Sequence, residues 1–188
     1  MLADQLETVV PVALTKHHGL GNDFLVALDP VRELTSVDAE QWCDRRTGIG
    51  ADGLIQARRG SNNDDHWTMI LWNADGGRAE ISGNGLRCLG QAIGWLAGSV
   101  EERSITVDTD AGERQLTLWP RPGNTWAVRV GMGQASEGPK TSSAWSAAGL
   151  DVDTQQGVDI GNPHLVALPR DDAVFDGLDM AHIGPIIE

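Results

Sequence analysis

The segment best suited to chemistry in this 188-residue sequence is Asn73–Arg87, which reads NADGGRAEISGNGLR. Asn73 and Asn84 provide neutral amide groups, and the glycines at positions 83 and 85 allow a ligand to approach the backbone closely. The segment leads into a helical pattern, and the first turn of a helix has unpaired backbone N–H groups and a partial positive charge. These features together predict a site that binds a small carboxylate.

Ser82 stands immediately before this helical pattern. A serine can act as a nucleophile, but the residues around Ser82 lack the Gly-x-Ser-x-Gly turn of the serine hydrolases. The same position suits a helix N-cap, so either Ser82 or Asn84 is expected to cap the helix. Capping is compatible with a role in chemistry, and Ser82 therefore stays a candidate site residue.

Three other features are better explained by structure than by a cofactor. Gly48–Gly53 matches the dinucleotide-binding glycine pattern, but a predicted helix precedes it and a strand follows, the reverse of the order that binding requires. His17 and His18 are adjacent and would point to opposite faces of a strand, which disfavours a shared metal. Cys43 and Cys88 have no CxxC spacing and are expected to be buried thiols. No metal or cofactor site is predicted.

Composition excludes several classes of function. The formal net charge of -13 argues against nucleic-acid binding, which requires a basic face. No run of residues approaches the roughly 18 to 20 apolar positions of a membrane span. The acidic N-terminus lacks the positive region of a secretory signal, so a cytoplasmic location is expected.

The elements that position these residues follow from hydrophobic patterning. A helix is predicted from Thr35 or Ser36 to Arg46, and a second one with its buried face at Leu86, Leu89, Ile93 and Leu96 and its end at Gly98. A loop is predicted at His18–Asn22. Strands are predicted at Val9–Thr15, Phe24–Leu28, Leu54–Ala57, Trp67–Trp72, Ile105–Asp108, Arg114–Trp119, Trp126–Val130 and Gly157–Leu168.

An internal repeat indicates a duplicated plan. Gly21–Leu28 recurs as Gly161–Leu168 with six of eight positions identical. We expect a first domain at residues 1–135, a linker at 136–155 and the start of a second domain at 156–188. A second copy of the Asn73–Arg87 loop would begin near position 213, so the chain is expected to be a fragment of a longer protein.

Five motifs occur in the order found in diaminopimelate epimerases, and the sequence resembles that family from about Lys16 onward. The motifs are Lys16–Phe24, Asp44–Gly53, Asn73–Gly76, Ser82–Cys88 and Gly161–His164.

The resemblance implies an α+β fold of two pseudo-symmetric domains, each with strands wrapped round a central helix, the second truncated here. It also implies the interconversion of LL- and meso-diaminopimelate in lysine biosynthesis, without pyridoxal phosphate or another cofactor, by a homodimer. Inverting a carbon requires a base on one face and an acid on the other.

By this similarity, Asn22, Asn73 and Asn162 bind substrate, Gly83 and Asn84 hold its carboxylate, and His164 modulates the pKa of the acid/base pair. Ser82 occupies the position of the family's first catalytic cysteine. A hydroxyl is far less acidic than a thiol and is a poor replacement as a base. Cys88 lies six residues later, inside the predicted helix, and is no simple substitute.

The departure at Ser82 leaves three hypotheses open. The parent protein is a diaminopimelate epimerase and this chain is inactive alone. Alternatively, it is a related racemase or isomerase of another small acid, using different or one-base chemistry. The third alternative is a binding homologue that kept the carboxylate pocket and lost catalysis.

Overall fold

A computed structural model of the chain describes residues 10–61, 63–98, 101–123, 125–140, 152–169, 171, 173 and 176–187. Two compact units are recognised, Met1–Met132 and Gly133–Glu188, and each is described by itself. Within the described residues, no helix is both long and apolar enough to cross a membrane.

The first unit is a mixed sheet with two helices. Its helices are α1 (Ser36–Cys43) and α2 (Gly83–Ala97). Its strands are β1 (Thr15–Gly19), β2 (Asn22–Leu28), β3 (Gly53–Gly60), β4 (Asn63–Asn73), β5 (Arg78–Ala79), β6 (Arg103–Thr109), β7 (Gly112–Arg121) and β8 (Thr125–Val130). The strand order is β1-β2-β3-β4-β6-β7-β8, with β5 paired to β4. The pairs β2–β3 and β4–β6 are parallel and the others are antiparallel.

Helix α2 is the centre of the first unit. Ser82 caps its start, and Gly98 ends it in the left-handed conformation at φ 58°, as the sequence predicted. The buried face presents Leu86, Leu89 and Ile93 to the sheet, whereas Leu96, which was predicted on the same face, is 54% exposed near the end of the helix. Because α2 contacts β1 and β2 near one end of the sheet and β7 and β8 at the other, the strands curl round it. The predicted arrangement of strands wrapped round a central helix is confirmed.

The opposite face of β2, β3 and β4 is covered by α1. Alternate side chains of β2 point to opposite faces, so Phe24 packs in the α2 core while Leu25 packs in the α1 core. Thr35 caps α1 and forms a capping box with Asp38. The helix ends three residues before the predicted Arg46. The Asp44 carboxylate accepts from the backbone N–H groups of Arg46 and Thr47 and thereby forms a turn there.

The first predicted strand was wrong. Residues 10–14 carry no strand, and β1 begins at Thr15 and runs through His18, the first residue of the predicted loop, to Gly19. The turn is only two residues long, Leu20 and Gly21, both with positive φ, and the register pairs Gly19 with Asn22. The side chains of β1 are polar and only partly buried, so the sequence lacks the apolar alternation that would predict a strand there.

The strands of the second unit are β9 (Ser136–Glu137), β10 (Val152–Asp159) and β11 (Pro163–Pro169). They form an antiparallel sheet in the order β11-β10-β9 and are followed by α3 (Met180–Ile187). Strand β9 (Ser136–Glu137) and the first residues of β10 (Val152–Asp159) fall within the predicted linker 136–155, so regular structure occupies part of it. Composition missed these strands because their pairing partners, in β10 and β11 (Pro163–Pro169), lie elsewhere in the chain. Residues 141–151 of that linker lie outside the described residues.

The sequence repeat is also a repeat of local structure. Gly21 and Gly161 both adopt positive φ, 92° and 103°, in the turn of an antiparallel hairpin. The matching segment that follows is the second strand of that hairpin in each unit, β2 in one and β11 in the other. The shared Gly-Asn pair therefore marks the same turn twice.

Candidate active site

The start of α2 presents unpaired hydrogen-bond donors. The Oγ of Ser82 accepts from the backbone N–H of Gly85 at 3.0 Å, and the Ser82 carbonyl accepts from the backbone N–H of Leu86 at 2.8 Å. The backbone N–H groups of Gly83 and Asn84 have no partner among the described residues. These two groups and the helix dipole are suited to an anion.

The β1–β2 hairpin brings a second asparagine to this helix end. The side-chain Nδ2 of Asn84 donates to Oδ1 of Asn22 at 3.3 Å, although the two residues are 62 positions apart. The approach is close because Gly19 has no side chain: a Cβ there would lie 3.0 Å from Oδ1 of Asn84. Both asparagines are partly buried, so their remaining polar groups stay accessible to a ligand.

Behind Asn22 lies a group of charged residues. Oδ2 of Asp52 accepts from Nδ2 of Asn22 at 2.8 Å and from the backbone N–H of Asp23 at 2.9 Å. The Arg45 guanidinium donates to Oδ1 of both aspartates, at 2.6 Å to Asp23 and 2.9 Å to Asp52. Lys16 lies 3.0 Å from the other Asp23 oxygen. Asn22 is therefore held in place by a network of charged side chains.

These contacts keep both carboxyl groups ionised. The pKa of Asp23 is lowered, first by the hydrogen bond from Arg45 and also by Lys16, against the opposing effect of burial. The pKa of Asp52 is lowered chiefly by the hydrogen bond from the Asp23 backbone and then by the one from Asn22. Sequence reasoning assigned no role to Asp52 or Arg45. Both residues lie in the Asp44–Gly53 motif, which was interpreted from its glycines and not from its charged side chains.

Asn73 lies at the end of β4, next to the same network. It is directly opposite Gly53 in the β3–β4 register, and the backbone N–H of the following Ala74 donates to the Asp52 carbonyl at 3.1 Å. Its side chain is exposed and makes no hydrogen bond with the described residues. The first unit thus brings Asn22, Gly83 and Asn84 together at the start of α2 and places Asn73 beside Asp52, which bonds Asn22.

Comparison with known proteins supports the resemblance to the diaminopimelate epimerases. Residues 14–137 match the family described as diaminopimelate epimerase. The chain is 34% identical to the diaminopimelate epimerase of Synechocystis sp., covering 94% of this chain and 66% of that protein. It is 36% identical to that of Thermosynechococcus vestitus, covering 94% and 65%. The chain belongs to the diaminopimelate epimerase family.

The chain spans about two thirds of the length of these curated family members. Solved structures support the epimerase-like fold. A predicted epimerase from Pseudomonas aeruginosa superposes with a TM-score of 0.67 at 16% identity, covering 89% of this chain and 61% of that chain. A hydroxyproline epimerase from Agrobacterium vitis gives a TM-score of 0.57 at 14% identity, covering 91% and 52%.

Ser82, which the resemblance predicts at the position of the family's first catalytic cysteine, caps the start of α2. Among the described residues, the only hydrogen bond to its side chain comes from Gly85. His17 on β1 hydrogen-bonds Thr15, and burial lowers its pKa. A hydroxyl without a base is a weak acid and a weak nucleophile. Within the described part of the chain, no cluster of three metal-ligating side chains is present either.

The two cysteines of this family member are buried in the two cores and are unsuited to proton transfer. Burial raises the pKa of Cys43 to about 11 and that of Cys88 to about 12. Cys88 faces the α2 core and not the helix start. The expectation of two buried thiols is confirmed, and neither of them lies at the start of α2.

In the second unit, Asn162 and His164 lie together at the β10–β11 turn. Nε2 of His164 is 3.0 Å from Oδ1 of Asn162. The Asp159 carboxylate accepts from the Gly161 backbone N–H at 2.8 Å and stabilises the turn. The contact orients the Asn162 amide, and the roles of both residues stay predictions.

Proposed function

We propose that this chain supplies the carboxylate-binding half of a diaminopimelate epimerase, an isomerase of lysine biosynthesis that acts without a cofactor. The supporting observation is the convergence of Asn22 and Asn84 with the open backbone N–H groups at the start of α2. It occurs in a chain 34% to 36% identical to curated diaminopimelate epimerases. A cytoplasmic location and a homodimer are proposed with it, by analogy with the family.

The proposed chemistry explains why donors gather here. When the α-proton of an amino acid is removed, negative charge builds up on the adjacent carboxylate. Fixed N–H donors that already surround the carboxylate stabilise this charge without having to reorganise. In this proposal, Gly83 and Asn84 hold the α-carboxylate, and Asn22, Asn73 and Asn162 bind other parts of the substrate. His164 modulates the pKa of the acid/base pair.

Ser82 limits what this chain does by itself. Because its hydroxyl is not hydrogen-bonded to a base among the described residues, we propose that the chain binds diaminopimelate and does not exchange the α-proton. The same observation favours a second candidate function, that of a binding homologue which has lost catalysis. In both cases the substrate carboxylate binds at the start of α2.

The test is α-proton exchange in deuterated buffer, followed by proton NMR, with LL-diaminopimelate and with proline and hydroxyproline in parallel. For the chain as it stands, we expect diaminopimelate to shift the amide signals of Gly83 and Asn84 without exchange. The Ser82→Cys variant should exchange faster than the unmodified chain. Binding without any exchange in the variant would favour the binding homologue.

Two results would contradict the proposal. Diaminopimelate that leaves the signals of Gly83 and Asn84 unmoved would exclude the carboxylate site. Exchange by the unmodified chain would show that Ser82, or a group not considered, moves the proton after all.

A further inference from the structure

We propose that Asp52 is a positioning residue that fixes the direction of a hydrogen-bond chain running from Arg87 through Asn84 and Asn22 to Asp52, so that a ligand meets N–H groups and not amide oxygens. This inference rests on the proposed carboxylate site and adds the origin of its selectivity. It concerns a residue that touches Asn22 and no part of the ligand.

The direction is set at the Asp52 end. A carboxylate only accepts hydrogen bonds. Asp52 is surrounded by donors: Arg45 at 2.9 Å on Oδ1, and the Asp23 backbone N–H at 2.9 Å on Oδ2. The Asn22 amide, 2.8 Å from Oδ2, must therefore turn its NH₂ group toward Asp52. Its oxygen is then forced to face away, toward α2.

The orientation of the Asn22 amide determines the direction of the remaining hydrogen bonds in this series. The Asn22 oxygen needs a donor, so Asn84 presents its NH₂ group, at 3.3 Å. The Asn84 oxygen then faces outward and accepts from the Arg87 guanidinium at 3.4 Å. A guanidinium only donates. This series of hydrogen bonds thus has an obligatory donor at the Arg87 end and an obligatory acceptor at the Asp52 end. Only one orientation of the two amides satisfies both ends.

This polarity determines what the site offers. Each of the two amides retains one N–H with no partner among the described residues, whereas each oxygen already accepts a hydrogen bond. The open backbone N–H groups of Gly83 and Asn84 are donors as well. Such a set of donors recognises a carboxylate and disfavours an ammonium group, which itself only donates. The end of an amino acid that binds here is thereby selected.

The experiment uses two probes that each carry half of the chemistry of diaminopimelate. Pimelate has the two carboxylates and no amine, and 1,5-diaminopentane has the two amines and no carboxylate. Each is titrated into the ¹⁵N-labelled 188-residue chain at about 0.15 M salt, where long-range attraction between charges is screened. The side-chain amide signals of Asn22 and Asn84 report binding. We expect pimelate to move both signals and 1,5-diaminopentane to move neither.

The decisive variant is Asp52→Asn, which keeps the shape and removes the acceptor-only group. Its NH₂ must face one of the donors around it, so the orientation of Asn22 is no longer fixed. We expect the Kd for pimelate to rise roughly tenfold or more. Asp44→Asn is the matched control, because Asp44 lies in the same loop but its carboxylate bonds only Thr47 and the Arg46 backbone among the described residues. It should bind pimelate as the unmodified chain does.

A second variant covers the possibility that Asp52→Asn does not fold. Gly19→Ala places a methyl group 3.0 Å from the Asn84 oxygen and should displace Asn84, weakening pimelate binding while Asp52 stays in place. The inference is overturned if 1,5-diaminopentane moves the two signals as much as pimelate does, or if folded Asp52→Asn binds pimelate like the control. Should Asp52→Asn fail to fold, unchanged pimelate binding by Gly19→Ala overturns it.

The outcomes separate this inference from the proposed function. Pimelate binding that depends on Asp52, in a chain that does not bind diaminopimelate, would support the polarity of the site and contradict the proposed substrate. Diaminopimelate binding that is insensitive to Asp52→Asn would support the substrate and contradict the polarity.

Discussion

The Ser82→Cys variant gives the sharpest test of the electrostatics at the start of α2. A thiol at this position would take the place of the Oγ that now accepts from the Gly85 N–H at 3.0 Å. A thiolate is a stronger acceptor than a thiol, and it also lies at the positive end of the helix dipole. Both effects favour the ionised form, so the pKa of the introduced thiol should be low.

The size of the effect can be worked out. An unperturbed thiol titrates near 8.5. A charge at a helix N-terminus gains about 0.3 to 2 kcal/mol, and each 1.36 kcal/mol corresponds to one pKa unit. Allowing about 2 kcal/mol for the dipole and the Gly85 hydrogen bond together places the pKa near 7. About half of the introduced thiol is then ionised at pH 7. The two native thiols, with pKa values of about 11 and about 12, remain almost wholly protonated.

The assay is alkylation by iodoacetamide from pH 5 to 9, with the modified peptides identified by mass spectrometry. Position 82 should react alone at neutral pH, with a midpoint near 7. Ser104→Cys is the matched control, since Ser104 is exposed on strand β6 and does not stand at the start of a helix. Its midpoint should be near 8.5. A midpoint at position 82 equal to or above the control would refute the electrostatic argument.

Two further predictions concern stability. Gly94→Ala should lower the free energy of unfolding by about 1 to 3 kcal/mol, because the added Cβ would clash with the Trp126 ring. Urea titrations measure this change, and an unchanged free energy of unfolding would contradict the tight packing of α2. Arg32 lowers the pKa of Asp38 below 3.8, so this carboxylate stabilises the fold above about pH 4 and the stabilisation is lost as the pH falls further. Asp38→Asn should therefore lower stability at pH 7 and flatten its decline below pH 4, whereas an undiminished acid dependence would exclude Asp38 as its source.

Much of the fold follows from local patterns. The α2 helix was predicted because its apolar residues recur at helical spacing and Gly98 follows them, and both signals act within the helix itself. Strand β1 was misplaced because Lys16 and His18 are exposed and polar, and what makes the segment a strand is its pairing with β2. Intrinsic preference is a weak guide where pairing decides.

The same contrast holds at the site. The asparagines and glycines were identified from their types and order, but the role of Asp52 depends on the pairing of β2 with β3. Parallel alignment of Phe24 with Gly53 sets the first residues of β2 beside the residue just before β3, and Asp52 thereby reaches Asn22 across 30 positions. No spacing rule within one segment reveals such a contact. The motifs therefore predicted the candidate binding groups and gave no sign of the carboxylate that accepts a hydrogen bond from one of them.

Under the proposed function, a serine at position 82 preserves the helix start but does not supply the acid/base thiol. Serine is among the best N-caps, whereas a neutral thiol is a weak acceptor, so Ser82→Cys should be less stable than the unmodified chain at pH 6. If the folded pKa is near 7 and the unfolded one near 8.5, the thiolate adds stability that is fully present above about pH 8.5 and lost as the pH falls through about 7. The free energy of unfolding of Ser82→Cys relative to the unmodified chain should therefore rise by about 2 kcal/mol between pH 6 and 9. Urea titrations at the two pH values, with Ser104→Cys as the flat reference, measure this rise independently of reactivity. A difference that stays constant with pH would mean that the helix start does not favour a thiolate, and that Ser82 stands where a cysteine would have gained nothing from its position.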